Sequence, residues 1–244
     1  MDVALLTVGD ELLSGDTENT NATWLARELT GRGASVRRVL TVPDDREVIA
    51  EYVREWRERF DAVIVTGGLG DTPDDVTVEA VADAFDRGLE VPEDVRERVE
   101  QKAREYREAN PERFEEYEFD IDFDETAALP AGARPLQTAE SFNPGCVVEN
   151  VYVFPGFPEE LKAMFGAVAE EFGGDVVTES VATVTPEGAL KDVLDGVRER
   201  FDVAVGSYPV REDRPGRVKV SGTDGEEVAD AAEWVRERVR TPAE

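Results

Sequence analysis

Residues 66–77 read Thr-Gly-Gly-Leu-Gly-Asp-Thr-Pro-Asp-Asp-Val-Thr. Gly67, Gly68 and Gly70 let the backbone come close to a ligand and turn several N–H groups toward one anion. Three carboxylates stand just behind them: Asp71, Asp74 and Asp75. Carboxylates beside an anion cradle repel a phosphate unless a cation lies between them. The stretch therefore reads as a site for a phosphate-bearing ligand held together with a divalent metal. A plainer alternative is a tight turn, with Asp74 or Asp75 capping the helix that follows. No Gly-Lys-Ser/Thr follows, so this is not a Walker A loop, and the spacing is not that of a Gly-x-Gly-x-x-Gly fingerprint.

Other acids stand at comparable places. Asp10 and Glu11 directly follow an apolar run and face desolvation unless partnered. Asp44 and Asp45 follow Pro43 at the start of a helical pattern, where capping is the alternative role. Asn19, Thr20 and Asn21 read as helix-start residues, one of which can also meet a ligand. Histidine is absent, which excludes Ser-His-Asp, Cys-His and His-ligated zinc chemistry. Catalysis in this chain must rest on carboxylates, hydroxyls, basic side chains, backbone amides and hard metal ions. The one cysteine, Cys146, forms no internal disulfide and reads as a small buried residue.

These loops need elements to hold them. Val3–Val8 is an apolar run that fits a buried strand, and Gly9–Thr17 reads as a polar loop. A helix follows with Trp24, Leu25 and Leu29 on one face, closed by Gly31 and Gly33. Ser35–Val42 alternates like a strand, and residues 48–56 carry helical spacing. Asp61–Thr66 is the third strand and Asp75–Asp86 the third helix. This alternation predicts a mostly parallel sheet with helices on both faces, a three-layer αβα domain, with ligands bound beyond the carboxyl ends of its strands. Glu93–Tyr117 reads as a charged helix and Glu118–Glu125 as a less regular acidic segment in which Phe119, Ile121 and Phe123 alternate. Val147–Phe154 predicts a hairpin turning at Glu149-Asn150, and Pro155–Pro158 leads into a helix ending at Gly173-Gly174. Beyond it, a β-α-β-β-α order suits a small ferredoxin-like α+β unit. Its elements are Val176–Val184, Pro186–Arg200, Phe201–Ser207, Arg217–Ser221 and Glu226–Arg240. The domain boundary is expected near Gly173-Gly174, giving domains 1–173 and 174–244.

Composition narrows the partners. The 244 residues include 41% hydrophobic positions, enough for a core. The 56 acidic and 27 basic residues leave a net charge of -29, which argues against nucleic acid or an anionic membrane as partner. Only four lysines occur, Lys102, Lys162, Lys191 and Lys219, and this balance fits adaptation to a high-salt cytoplasm. No apolar run reaches the ~18 residues of a membrane span, and the amino terminus opens on a strand, so a soluble cytoplasmic protein is expected.

The motifs resemble one family. Thr66-Gly-Gly-Leu-Gly70 with Pro73-Asp-Asp-Val-Thr77 resembles the signature of molybdopterin-binding domains of the MoaB/Mog type. Val8-Gly-Asp-Glu-Leu-Leu-Ser-Gly15 with Asn19-Thr-Asn-Ala22 resembles the start of the CinA amino-terminal domain. Pro155-Gly-Phe-Pro-Glu-Glu-Leu161 is similar to that subfamily's Pro-Gly-x-Pro-x-Glu segment, and Asn143-Pro-Gly145 to its stretch before the hairpin. Gly206-Ser-Tyr-Pro209 is similar to an extension of CinA-like archaeal proteins and of eukaryotic FAD synthases. The carboxy-terminal deamidase domain of bacterial CinA is not expected, so nicotinamide-nucleotide deamidation is not carried over. The resemblance implies metal-dependent hydrolysis of ADP-ribose and similar nucleotide diphosphates, or, in the Mog branch, adenylylation of molybdopterin. A non-catalytic nucleotide-binding protein is the third reading.

Carried over by position, Asp75 matches the acid of the Asp-Val-Thr segment and Asp44 the acid after the proline of the second loop. Asp10 stands where bacterial CinA proteins commonly have Thr, and Asp71 where they have Pro. The expected catalytic residues are Asp75, Asp44 and Glu11, and the expected metal ligands Asp75, Asp44 and Asp10. Gly67, Gly68, Gly70, Thr72, Gly9, Asn21, Pro155 and Gly156 are expected to bind substrate or phosphate. The implied cofactor is a divalent metal (Mg²⁺, Mn²⁺ or Co²⁺), with K⁺ as a further candidate. The implied partners are a nucleotide or pterin ligand and further copies of the chain, since the family commonly forms dimers or trimers.

Overall fold

A computed structural model describes residues 1–112, 121–210 and 215–242. The chain divides into two compact units, Met1–Leu29 with Val36–Phe172, and Thr30–Ser35 with Gly173–Glu244.

The first unit is built on a six-stranded sheet of β1 (Asp2–Val8), β2 (Ser35–Val42), β3 (Ala62–Thr66), β6 (Arg134–Leu136), β7 (Gly145–Val148) and β8 (Val151–Phe154). Their spatial order is β2-β1-β3-β8-β7-β6. β1 pairs parallel with β3, and β3 with β8, while β8–β7 and β7–β6 are antiparallel. β3, β7 and β8 are buried at every position. Strands covered on both faces read as continuous apolar runs, which is how they appear in the sequence. On one face Ala4, Leu6 and Val8 of β1 pack with Ile49 and Val53 of α3 (Arg46–Trp56), with Ala80 and Ala84 of α4 (Thr77–Ala84), and with Val95 and Val99 of α5 (Glu93–Ala109). On the other, Phe165 of α7 (Pro158–Val168) meets Trp24 of α2 (Thr20–Gly31) and Phe154 of β8 edge-on. The result is the expected three-layer αβα arrangement around a mostly parallel sheet. The predicted hairpin turns at Glu149-Asn150, with Glu149 at φ 54.

Several elements differ from expectation. The segment Gly9–Thr17 holds a short helix, α1 (Asp10–Ser14), none of whose residues is buried. With no buried face it leaves no apolar period to read. The third helix starts at Thr77 with Val76 at its N-cap, so neither Asp74 nor Asp75 caps it. Part of the acidic segment is also helical: α6 (Phe123–Thr126) is capped by Asp122, whose carboxylate accepts from the Asp124 and Glu125 amides. β4 (Leu89–Glu90) and β5 (Leu129–Pro130) form a two-residue pairing too short to announce itself. Phe119 and the expected helix end at Tyr117 lie outside the described residues.

The second unit contains β9 (Val177–Thr183), α8 (Lys191–Arg200), β10 (Ala204–Tyr208), β11 (Gly216–Gly222) and α9 (Gly225–Arg236). Its sheet has order β10-β11-β9, antiparallel throughout. The last strand inserts between the first two, the split β-α-β arrangement expected of a ferredoxin-like unit. Val181, Val197, Val218, Val220, Ala231 and Val235 form its own core. The single helix expected over residues 186–200 is broken: a 3₁₀ turn at Glu187–Ala189 precedes α8.

Candidate functional site

The order β2-β1-β3 creates a switch point, because the chain leaves β1 toward one neighbour and returns on its other side. The crevice of such a sheet lies beyond the carboxyl ends of the strands. Gly9 follows β1, Pro43 follows β2, Gly67 follows β3 and Pro155 follows β8, so four loops share that edge.

The glycine loop is tied into this edge by its backbone. Gly67 donates its N–H to the Phe154 carbonyl at 3.1 Å, and Gly9 to the Val42 carbonyl at 3.1 Å. A Cβ at Gly67 would lie 2.3 Å from the Val8 carbonyl oxygen, and the residue has φ 97. Only glycine fits there. Gly68 has φ 65, and a Cβ on it would stand 2.3 Å from the Thr77 hydroxyl. That hydroxyl is buried without a hydrogen-bond partner, an orphaned polar atom beneath the loop. Asp75 closes the loop: its Oδ2 accepts from the Thr72 amide at 3.1 Å and the Thr72 hydroxyl at 2.6 Å. Thr72 also draws the Asp74 carboxyl below its usual range. Asp71 turns elsewhere, its Oδ1 accepting from the Thr126 hydroxyl at 2.9 Å.

A second group forms around Asp44. Its Oδ2 accepts from the Asp10 amide at 2.8 Å. Its carboxyl is raised above the ordinary value, by burial first; the bond from Asp10 opposes this, and the charges of Asp10, Glu11 and Asp74 add to it. Asp45 beside it is a cap, accepting from the Glu47 amide at 2.9 Å and the Val48 amide at 3.1 Å. A third group joins Asn21, whose Nδ2 donates to the Gly156 carbonyl at 2.7 Å. Glu11, Asn19, Asn21, Thr66 and Gly156 border a cavity of about 100 Å³ there. Asn19 caps α2 by accepting from the Ala22 amide at 3.1 Å.

The expected residues thus fall into three neighbouring groups: Gly67, Gly68, Gly70, Thr72 and Asp75; Gly9, Asp10, Glu11 and Asp44; and Asn21, Pro155 and Gly156. The charge of Asp74, in the first loop, acts on Asp44 in the second group. Among the described residues no three Asp, Glu, Cys or His side chains gather closely enough to hold a metal by themselves, so Asp75, Asp44 and Asp10 do not form a ready-made cage. The donor chemistry still fits a hard cation. Mg²⁺ is ordinarily held by one or two carboxylates with substrate phosphates and water supplying the rest.

Sequence reasoning assigned no site role to Asn143. Its Nδ2 donates to the Leu69 carbonyl at 2.5 Å, and its Oδ1 is buried without a partner. The Asn143-Pro-Gly145 resemblance was its one signal in the sequence; the loop it braces, 74 residues away, leaves no local trace. Cys146 is buried and its thiol is pushed up to about 12 by that burial, which keeps it unreactive.

Comparison with known proteins agrees with this picture. Residues 4–173 match a family described as "Probable molybdopterin binding domain", and residues 175–242 match one described as "FAD synthase, middle domain". A protein of Archaeoglobus fulgidus is 37% identical over 241 residues, covering 97% of each chain. A Pyrococcus abyssi protein is 34% identical, covering 98% of this chain and 97% of its own. The crystal structure of "the protein CinA with unknown function" from Thermoplasma acidophilum is similar with a TM-score of 0.60 and 31% identity, over 70% of this chain and 97% of that one. With the glycine loop on the switch point of a MoaB/Mog-like sheet and a match over most of its length, the chain belongs to the molybdopterin-binding-domain family, in its CinA type.

Proposed function

We propose that this chain is a metal-dependent nucleotide pyrophosphatase acting on ADP-ribose-like diphosphates. The observation that carries the reading is the meeting, on one sheet edge, of the glycine loop with the carboxylates around Asp44. Backbone N–H groups of Gly68 and Gly70 hold the diphosphate oxygens; Gly67 and Gly9, whose N–H groups bond the Phe154 and Val42 carbonyls, and Thr72, which donates to Asp75, shape the binding loops around them. Asn21 keeps Pro155-Gly156 against this edge through its bond to the Gly156 carbonyl. Asp44 and Asp75, with Asp10 beside them, would hold Mg²⁺, Mn²⁺ or Co²⁺, and K⁺ is a further candidate. Such an ion neutralises phosphate charge and acidifies a water. In the reaction a water oxygen adds to phosphorus, the P–O–P bond breaks, and ADP-ribose yields AMP and ribose 5-phosphate. With no histidine in the chain, the water's proton passes to a carboxylate. Glu11, whose charge acts on Asp44 and which is not among the carboxylates assigned to the metal, is the acceptor. The match of residues 175–242 to the FAD synthase middle domain supports adding FAD, a diphosphate-linked dinucleotide, to the substrates tested.

The test is incubation with ADP-ribose, FAD and NADH at high salt with each metal. AMP is the expected product, and folded protein that releases none removes the reading. Asp75→Asn is expected to slow hydrolysis by about 100-fold or more. An unchanged rate takes Asp75 out of the machinery. The match of residues 4–173 to the molybdopterin-binding family favours a second reading, pterin binding with adenylylation. It predicts adenylylated pterin from ATP and molybdopterin, and no pterin binding at micromolar protein counts against it. Nucleotide binding without turnover would leave the non-catalytic reading. We also propose a homo-oligomer, which sedimentation velocity checks.

A further inference from the structure

We infer that Phe157 is the platform on which the aromatic base of a nucleotide ligand stacks; this deepens the pyrophosphatase reading and rests on its placement of the diphosphate. Phe157 is 75% exposed, the most exposed large apolar side chain among the described residues. Folding does not account for it. It occupies the N-cap of α7 and makes no side-chain cap bond, at a position where Ser, Thr, Asn or Asp would stabilise the helix. Solubility does not account for it either, since a phenyl ring in water is unfavourable.

Its backbone is held on both sides. The Gly156 carbonyl accepts from Asn21 at 2.7 Å, and the Phe157 carbonyl accepts from the Leu161 amide at 3.0 Å. Pro155 and Pro158 restrict the torsions around it. The ring is therefore presented from a fixed backbone, which limits the entropy lost when a ligand covers it.

Position identifies the ligand part. Gly156 and Pro158, on either side of Phe157, both border the cavity that holds Glu11, Asn21 and Thr66. A Cβ on Gly156 would lie 3.6 Å from the Gly67 Cα, so Phe157 stands one residue, about 3.8 Å of chain, beyond direct contact with the glycine loop. A nucleotide with its diphosphate on that loop carries its base one sugar away. Every nucleobase has a π face, and stacking on an aromatic side chain tolerates any of them. Stacking also survives the salt that screens a phosphate's attraction, a useful division of labour in a chain of net charge -29.

The experiment is calorimetric titration with two non-hydrolysable probes in Mg²⁺: α,β-methylene-ADP, which has a base, and methylenediphosphonate, which has none. Phe157→Ala should weaken α,β-methylene-ADP about 5- to 100-fold and leave methylenediphosphonate unchanged, while Phe157→Trp keeps both. Equal affinity of wild type and Phe157→Ala for the nucleotide overturns the platform. So does equal weakening of both probes, which would mark a structural role. A dimer that dissociates on Phe157→Ala with nucleotide affinity unchanged also overturns it and makes the ring a contact between copies. No binding of either probe to wild type overturns this inference and the pyrophosphatase reading together. The affinity split without AMP release from ADP-ribose removes only the pyrophosphatase reading.

Discussion

Asp44 concentrates the electrostatics of the site. Its carboxyl is raised from 3.8 by burial and then by the charges of Asp10, Glu11 and Asp74. A carboxyl with a native pKa above its unfolded value binds extra protons in the native state. Its stabilising contribution is full below 3.8 and is lost as pH rises through the raised native value. At neutral pH Asp44 is therefore a liability unless a cation sits beside it. Asp44→Asn removes the charge and keeps an oxygen for the Asp10 amide. In chelator at pH 7 and low salt the variant should melt above wild type, with the gap closing toward about pH 3. Mg²⁺ should raise the Tm of wild type and not of the variant. Differential scanning calorimetry checks both, and a variant melting below wild type at all pH values would remove this account. Hydrogen-bond partners separate acids the sequence could not rank: Asp45 is a cap, Asp71 is bonded to Thr126, and Asp75 closes the glycine loop.

Among the elements, the junction after β3 is tightly constrained. Gly67 combines φ 97 with a would-be Cβ at 2.3 Å from the Val8 carbonyl oxygen, whereas Gly15, at φ 81, has nothing within 4 Å. Gly67→Ala is expected to cost about 1–3 kcal/mol and lower Tm by several degrees, more than Gly15→Ala. Its displacement of the loop should also abolish α,β-methylene-ADP binding, which Gly15→Ala should leave intact. Thermal melting and calorimetric titration of the pair check this, and equal behaviour of the two variants would show that contact with β1 does not matter. The element reading failed where burial is slight or lengths are short. α1 buries nothing, α6 spans four residues and the β4–β5 pairing two. Such elements are held by end contacts and caps, which leave no periodicity.

For the whole molecule, a net charge of -29 on 244 residues is self-repulsive. The side-chain ion pairs are mostly exposed; Arg46–Asp83, for example, leaves 51% and 43% of its side chains open, and such pairs contribute little. Screening is the larger lever, since the Debye length falls from about 10 Å at 0.1 M salt to about 3 Å at 1 M. Raising KCl over that range should raise Tm by several degrees, measured by scanning fluorimetry, and a flat or falling Tm would sink the reading of salt adaptation. Among the described residues no helix is long and apolar enough to cross a membrane.

The sequence by itself determined the chemistry available and most of the local structure. Without histidine and with one buried cysteine, only carboxylates, hydroxyls, basic side chains, amides and metal ions were left to act. Continuous apolar runs marked strands that are buried on both faces, and clustered glycines marked backbone that must turn or approach closely. Tertiary structure alone decided which loops meet. β1 lies beside β3, so any side chain at Gly67 would strike the Val8 carbonyl. Asn143 crosses 74 residues to hold Leu69, and Asn21 crosses 135 to hold Gly156. Local pattern records a residue's burial and torsions. It does not record which distant loop supplies its hydrogen-bond partner, because that follows from strand order, a property of the folded sheet.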